Sequence, residues 1–274
     1  MNDRDIIRQF YDSGTEQEWR RIENRPEFLL TCRFLARYIR PGDTVLDIGG
    51  GPGRYAVRLA ERGCRVTLLD LSDENVRAAK LHAAEADVEI EAVPGDACEA
   101  DKILAGRQFD HVLLMGPLYH LLEESERTAA VNAALALLKP GGELFASFIG
   151  MMGGIIFEML NPEMILSQEP PDMEFRRCFL EGKSYSGDAF TRAYFSQITD
   201  AEEFMNRFGL EKLHFFGQEG ILSPCEEKIM ACSADIIEAW LDRSEFLCEK
   251  PEYLTWSEHL MYIGRKTKTE EPSC

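Results

Sequence analysis

A short apolar strand, a glycine-rich turn and the start of a helix follow one another at Val45-Leu46-Asp47-Ile48-Gly49-Gly50-Gly51-Pro52-Gly53-Arg54-Tyr55. Four of the five positions from 49 to 53 are glycine, which is more than a tight turn requires. Glycine lets a ligand approach the main chain closely, because it has no side chain. The start of the helix offers unpaired N–H groups and a positive dipole end. The motif therefore predicts a nucleotide-like ligand at the first strand-to-helix turn of an open α/β sheet.

The spacing of the glycines indicates which kind of ligand. A dinucleotide fingerprint, GxGxxG, would require glycine or alanine at position 54, where this chain has Arg54. The pattern is instead GxGxG, and Asp47 precedes it. A carboxylate at that place would repel a pyrophosphate, whereas it suits a ligand with an ammonium or sulfonium charge.

Beyond this motif, short apolar runs alternate with helical patterns. Strand-like runs lie at 65–70, 88–93, 109–115 and 143–149, with amphipathic helices between them. This alternation predicts βαβ units and a doubly wound, mostly parallel sheet with helices on both faces. Residues 1–40 are predicted to be helical. Residues 150–198 interrupt the alternation of strands and helices, and a long irregular segment of this kind is typical of a functional lid.

Five segments in the right order resemble the motifs of class I S-adenosylmethionine-dependent methyltransferases. They are the glycine motif, Leu68-Leu69-Asp70-Leu71-Ser72, Gly95-Asp96-Ala97, the run 109–115 and the turn into the run 143–149. The segment Gly116-Pro117-Leu118-Tyr119-His120-Leu121 also resembles a branch of that family with mostly unassigned substrates. The resemblance implies a Rossmann-like, seven-stranded sheet whose last two strands form a reversed hairpin. We expect four parts: a helical cap (1–40), a cofactor-binding α/β core (41–149), a lid (150–198) and a C-terminal completion of the sheet (199–274).

The resemblance also implies S-adenosylmethionine as cofactor, with S-adenosylhomocysteine as product. Asp70 would accept the ribose hydroxyls, and Asp96 and the Ala97 N–H would meet the adenine. Asp47 would attract the ammonium of the methionine part. The remaining residues that we assign to the cofactor are Gly49, Gly50, Gly51, Gly53, Leu71 and Met115. No metal is expected.

The acceptor side is predicted from residues that follow the fourth strand. His120 is the general-base candidate because imidazole titrates near neutrality, and packing is the equally weighted alternative. Tyr119 is assigned to the catalytic side as a wall of the site. A further hypothesis is that Glu18, Trp19, Arg20 and Arg25 close over the cofactor, and the alternative is an ordinary amphipathic entry segment.

The amino-acid composition limits the classes of partner that the protein is expected to bind. The formal net charge is −18, so no basic face is expected for nucleic acid or for an anionic membrane. The eight cysteines are dispersed without a CxxC pair, which favours reduced thiols and a cytoplasmic location. No apolar run is long enough to span a membrane. A small-molecule acceptor is expected, and a homodimer is retained as an open alternative.

The functional expectation is therefore methyl transfer from S-adenosylmethionine to a small molecule. Two alternatives were weighed against it. An NAD-dependent oxidoreductase is disfavoured by Asp47 and by Arg54 in place of the third glycine. A non-catalytic sensor of S-adenosylmethionine stays open, although His120 and a long lid favour catalysis.

Overall fold

The computed structural model describes residues 2–21 and 23–267. The strands are β1 (Thr44–Ile48), β2 (Arg65–Asp70), β3 (Glu91–Pro94), β4 (Phe109–Leu114), β5 (Leu138–Gly150), β6 (Tyr185–Asp188), β7 (Arg192–Ser196), β8 (Glu211–Gly217) and β9 (His259–Arg265). The helices are α1 (Asp3–Arg21), α2 (Pro26–Tyr38), α3 (Arg54–Glu61), α4 (Asp73–Glu85), α5 (Ala100–Ile103), α6 (Glu124–Leu137), α7 (Met151–Leu160), α8 (Pro170–Leu180), α9 (Ile198–Asn206), α10 (Glu226–Met230) and α11 (Ala234–Leu247). Among the described residues, no helix is both long and apolar enough to span a membrane.

The central sheet has the predicted doubly wound form. Strands β3, β2, β1, β4 and β5 lie side by side and run parallel. Strand β9 runs antiparallel between β5 and β8, which completes the seven expected strands with a reversed pair. Because β9 is reversed, its first residues lie at the edge where the parallel strands end.

Helices cover both faces of the sheet. Successive side chains of a strand point to opposite faces, and on both faces they are apolar and buried by helices. Leu46 and Ile48 of β1 pack into one buried cluster with α6 and α9. Val45 packs into the other, with α2, α3 and α4. Strand centres that are apolar on both faces are the expected sequence signature of such a parallel sheet.

Residues 150–198 carry more regular structure than their sequence predicts. Helices α7 and α8 are followed by an antiparallel hairpin of β6 and β7. β7 pairs with the last two residues of β5, so the hairpin adds two strands to the seven expected. The division of the chain at 40, 149 and 198 stays a prediction.

Candidate active site

Residues after four neighbouring strands line one cavity, which we call the glycine-turn cavity. All but one of the predicted site residues line it: Asp47, Gly49, Gly50, Gly51, Asp70, Leu71, Asp96, Ala97, Met115, Tyr119 and His120. Gly53 does not. A side chain at Gly53 would meet the Cβ of Ala79 at 2.9 Å, so this glycine lets α3 approach α4. Gly53 thus has a packing role, and its predicted cofactor contact stays a prediction.

The glycine turn adopts backbone conformations that favour glycine. Gly49 has φ +71°, and a Cβ there would lie 2.5 Å from the ring of Pro117. Gly51 has φ +56°, and a Cβ there would meet no atom within 4 Å. The main chain at Gly51 thus stays open toward the cavity, which allows a ligand to lie against it.

Asp70 ends β2 and is held rigidly beside the turn. One carboxylate oxygen accepts the N–H of Gly51 at 2.8 Å. The other accepts the N–H of Ser72 at 2.9 Å and the Asn75 amide at 3.1 Å. Burial raises the pKa of Asp70, and these hydrogen bonds oppose that rise. Three of the about four lone-pair directions of the carboxylate are used, so one stays free, and a second hydrogen bond to a ligand would share or displace a present donor.

Asp47 presents a buried carboxylate oxygen without a partner. The residue is 1% exposed, and its Oδ2 has no hydrogen bond among the described residues. Burial, followed by the nearby carboxylate of Asp70, raises the pKa of Asp47 to about 7. A buried acceptor of this kind is costly unless something pairs with it. The geometry therefore fits a cationic group bound in the cavity.

Each carboxylate oxygen of Asp96 already has a partner. One oxygen accepts the N–H of Cys98 at 2.8 Å, and the other ion-pairs with Arg4 of α1. An adenine amine could reach Asp96 only beside Arg4 or in its place. Sequence reasoning did not identify Arg4.

Helix α1 covers the glycine-turn cavity. The indole of Trp19 stacks on His82, with ring centres 3.6 Å apart. The guanidinium of Arg54 lies 3.5 Å from the centre of the Trp19 ring and donates to the Trp19 carbonyl. Glu18 lines the cavity from the same helix. Glu18 thus lies at the cavity, whereas Trp19 packs between His82 and Arg54, and closure of these residues over the cofactor stays a prediction.

Hydrogen bonds engage both ring nitrogens of His120, which a free general base would not show. Its Nδ1 lies 3.0 Å from the carbonyl of Arg192, so it donates there, and its Nε2 accepts the hydroxyl of Tyr11 at 2.6 Å. Burial lowers the pKa of His120 to about 4. Both ring nitrogens are occupied, so the geometry does not favour the predicted proton transfer. The Tyr11 contact spans 109 residues, and the weakly periodic α1 gives no sequence signal for it.

A second cavity, which we call the lid cavity, adjoins the first. The two share Tyr11, Glu18, Arg21 and Tyr119 as lining residues. Its walls come from α1, the lid and the segment after β4. They combine aromatic side chains with carboxylates; among the aromatic ones are Phe10, Tyr119, Phe175, Tyr185, Phe190 and Phe195, and among the carboxylates Glu18, Glu158, Glu169, Asp172 and Asp188. The lid cavity is also lined by Glu258, just before β9, and by His259, the first residue of β9. The sequence analysis identified neither His259 nor Glu258 as a site residue.

One cluster of side chains has the spacing of a metal site. Glu27, Glu219 and His259 each place one ligand-type atom within 4.8 Å of the others. Hydrogen bonds already engage the two carboxylates: Arg21 binds Glu27 at 3.0 Å, and His259 binds Glu219 at 2.6 Å. That the protein uses no metal stays a prediction.

The sequence also matches known proteins. The model of a family described as "Methyltransferase domain" matches residues 45–142. The ubiquinone biosynthesis O-methyltransferase of Salmonella typhimurium is 35% identical over 130 residues, which are 47% of this chain and 52% of that protein. The chain thus spans about half the length of the relatives it matches.

Two solved structures share the fold. The first is magnesium protoporphyrin IX methyltransferase from Synechocystis, determined with bound S-adenosylhomocysteine. Its TM-score is 0.59 at 16% identity, covering 97% of this chain and 100% of that one. The second is 1,6-didemethyltoxoflavin-N1-methyltransferase from Burkholderia thailandensis, with a TM-score of 0.57 at 18% identity, covering 96% and 88%.

Proposed function

We propose that the chain is a class I S-adenosylmethionine-dependent methyltransferase and that it methylates a small-molecule acceptor. The observation that carries the proposal is the buried, unpartnered Oδ2 of Asp47 beside the glycine turn. The methionine part of the cofactor carries an ammonium, which would supply the missing partner. A pyrophosphate would bring negative charge to the same place, which disfavours the NAD alternative.

The other cofactor contacts are proposed from the same cavity. Asp70 would accept the two ribose hydroxyls while holding Gly51 in position. Gly49, Gly50 and Gly51 would let the methionine part lie on the main chain. Asp96 and the Ala97 N–H would meet the adenine, and Leu71 and Met115 would line its pocket.

Catalysis would depend mainly on positioning. S-adenosylmethionine supplies a methyl group on a sulfonium, which an acceptor atom attacks in line. Tyr119 and Tyr11 line both cavities, so an acceptor in the lid cavity would meet the cofactor beside them. Helix α1 would exclude water, and exclusion of water together with fixed geometry accounts for large rate gains. We propose that His120 holds Tyr11 at this junction.

The strongly acidic composition supports a small-molecule acceptor over nucleic acid. The O- and N-methyltransferases among the similar proteins act on small molecules according to their names, which agrees with this proposal. Homodimer formation, cytoplasmic location and the four-part division of the chain remain predictions.

The function is tested by incubating the protein with S-adenosylmethionine and fractions of a metabolite extract. We expect release of S-adenosylhomocysteine with at least one fraction, and mass spectrometry should find a product heavier by one methylene. The Asp70→Ala variant serves as the inactive control. Cofactor binding without S-adenosylhomocysteine release in any fraction would support the sensor alternative. Binding of NADH in place of S-adenosylmethionine would support the oxidoreductase.

The pH dependence of cofactor binding tests the role of Asp47. Its carboxyl has a pKa of about 7, so it is mostly protonated at pH 6 and mostly charged at pH 7.5. If only the carboxylate pairs with the ammonium, affinity should rise about eightfold over that interval. Titration calorimetry with Asp47→Asn should give weaker binding that changes little with pH. An equal rise in the variant would assign the pH dependence to another group.

A further inference from the structure

Glu258 lies at the carboxyl edge of the sheet and lines the lid cavity. Its carbonyl accepts the N–H of Gly150, the last residue of β5, at 2.8 Å. The next residue, His259, begins β9, and its ring lies 6.2 Å from that of Tyr119, centre to centre. Because Tyr119 lines both cavities, this segment forms the wall of the lid cavity near their junction.

The other charged side chains near Glu258 are paired with one another. The pairs are Arg21 with Glu18 and Glu27, Arg25 with Glu226, and His259 with Glu219. The carboxylate of Glu258 has neither a hydrogen bond nor an ion pair in the described part of the chain. Five carboxylates therefore share three cations, and Glu258 is the one left without a partner.

The surroundings make a charged, unpaired Glu258 costly. Burial is the largest cause that raises its pKa, to about 7, and the carboxylate of Glu219 is the next. Glu226 and Glu27 act in the same direction, whereas His259 opposes them. A cation bound beside Glu258 would remove this cost, because an opposite charge stabilises the carboxylate.

The remaining charges of the lid cavity are mainly negative. Carboxylates from α1, α7, the segment before α8, α8 itself and β6 line it: Glu18, Glu158, Glu169, Asp172 and Asp188. The basic side chains that line it, among the described residues, are Arg21 and His259, and carboxylates already hold both. The excess of negative charge attracts a cation and repels an acceptor that carries a carboxylate or a phosphate.

Aromatic side chains form the other part of the walls. Phe175, Tyr185 and Phe195 lie with their ring centres 5.3 to 6.2 Å apart. Phe10 of α1 meets Phe190 of the β6–β7 turn at 6.0 Å. Aromatic rings bury an apolar body and attract an organic cation, whereas a metal ion prefers oxygen ligands alone. The combination of rings with an unpaired carboxylate therefore fits an organic ammonium.

Resting on the proposed function, we propose that the methyl acceptor is an organic ammonium compound with an apolar body, and that Glu258 binds its ammonium group in the lid cavity. The aromatic walls would hold the apolar body. The excess of carboxylates would also offset the repulsion between a cationic acceptor and the sulfonium of the cofactor. Glu258 would thus select the acceptor by its charge.

The test compares three compounds that share a phenyl ring and differ in the head group. They are 2-phenylethylamine, an ammonium at pH 8, the neutral 2-phenylethanol and the anionic phenylacetate. Each is titrated into protein saturated with S-adenosylhomocysteine, and ligand-observed NMR measures the affinity. Wild type should bind the ammonium at least about tenfold more tightly than the alcohol, and phenylacetate most weakly.

Variants of Glu258 separate its charge from its packing. Glu258→Gln should weaken binding of the ammonium about tenfold and leave that of the alcohol within about twofold. Glu258→Asp keeps the charge and should keep the preference for the ammonium. Glu252→Gln is the matched control, because Glu252 is an exposed glutamate six residues earlier and outside both cavities. It should change neither affinity.

The outcomes distinguish this inference from the proposed function. Failure of wild type to bind S-adenosylhomocysteine in calorimetry would contradict the proposed function. Normal binding of S-adenosylhomocysteine without a preference for the ammonium, or without binding of the ammonium at all, would overturn the ammonium acceptor alone. An equal loss of ammonium and alcohol binding in Glu258→Gln would make Glu258 a structural residue. If that variant does not fold, the comparison of the three compounds on wild type and on Glu258→Asp still decides.

The metabolite extract offers a second test on the wild-type protein. The extract is divided by ion exchange at pH 8, and each fraction is incubated with protein and S-adenosylmethionine. Release of S-adenosylhomocysteine should be confined to the fraction that a cation exchanger retains. Release only with the neutral or the anionic fraction would leave the methyltransferase proposal standing and would overturn the ammonium acceptor.

Discussion

Replacing Asp70 with alanine is expected to weaken S-adenosylmethionine binding at least about 100-fold, because two hydrogen bonds to a charged group are worth about 1.5–3 kcal/mol each. The variant also loses the acceptor that holds the N–H of Gly51 at 2.8 Å. The glycine turn would then be less well ordered for the methionine part. Titration calorimetry measures the affinity, and thermal unfolding establishes that the variant is folded.

Asp73→Ala is the matched control for this change. Asp73 is an exposed aspartate in the first turn of α4, three residues away and outside the cavity. We expect its removal to leave cofactor affinity within about twofold, since it affects only the helix terminus. Comparable affinities for Asp70→Ala and wild type would remove Asp70 from the cofactor site.

Gly49→Ala is expected to destabilise the protein by about 2–4 kcal/mol, combining left-handed backbone strain with overpacking. The new Cβ would lie 2.5 Å from the ring atoms of Pro117, which begins the turn after β4. The turns after β1 and β4 would have to separate, and both line the glycine-turn cavity. Cofactor affinity should therefore fall as well. Urea unfolding measures the loss of stability.

Gly106→Ala distinguishes the two causes. Gly106 also has a positive φ, +80°, but no atom lies within 4 Å of its added Cβ. This control should cost only the backbone strain, about 1–2 kcal/mol. Equal losses of stability in the two variants would mean that contact with Pro117 does not constrain the turn.

Much of the architecture was predictable because its signals are local. The strand β2 at 65–70 agrees with its predicted bounds. Helix α2 begins at Pro26, whose fixed φ suits the first helical position. The lid was only recognised as irregular, because α7, α8 and the β6–β7 hairpin are stabilised by tertiary packing. Phe175, Tyr185 and Phe195, for example, form one buried cluster with Tyr119.

Local sequence was sufficient for the glycine turn, the three aspartates and the acidic surface, because each depends on neighbours along the chain or on composition alone. The acceptor side depends on contacts between distant segments. Tyr11 meets His120 across 109 residues, and Glu219 meets His259 across 40. Whether a histidine is free or fully hydrogen-bonded follows from such pairings. Both nitrogens of His120 are hydrogen-bonded, whereas only Nδ1 of His259 has a side-chain partner among the described residues. His259 lines the lid cavity because the reversal of β9 brings its first residues to the ligand edge.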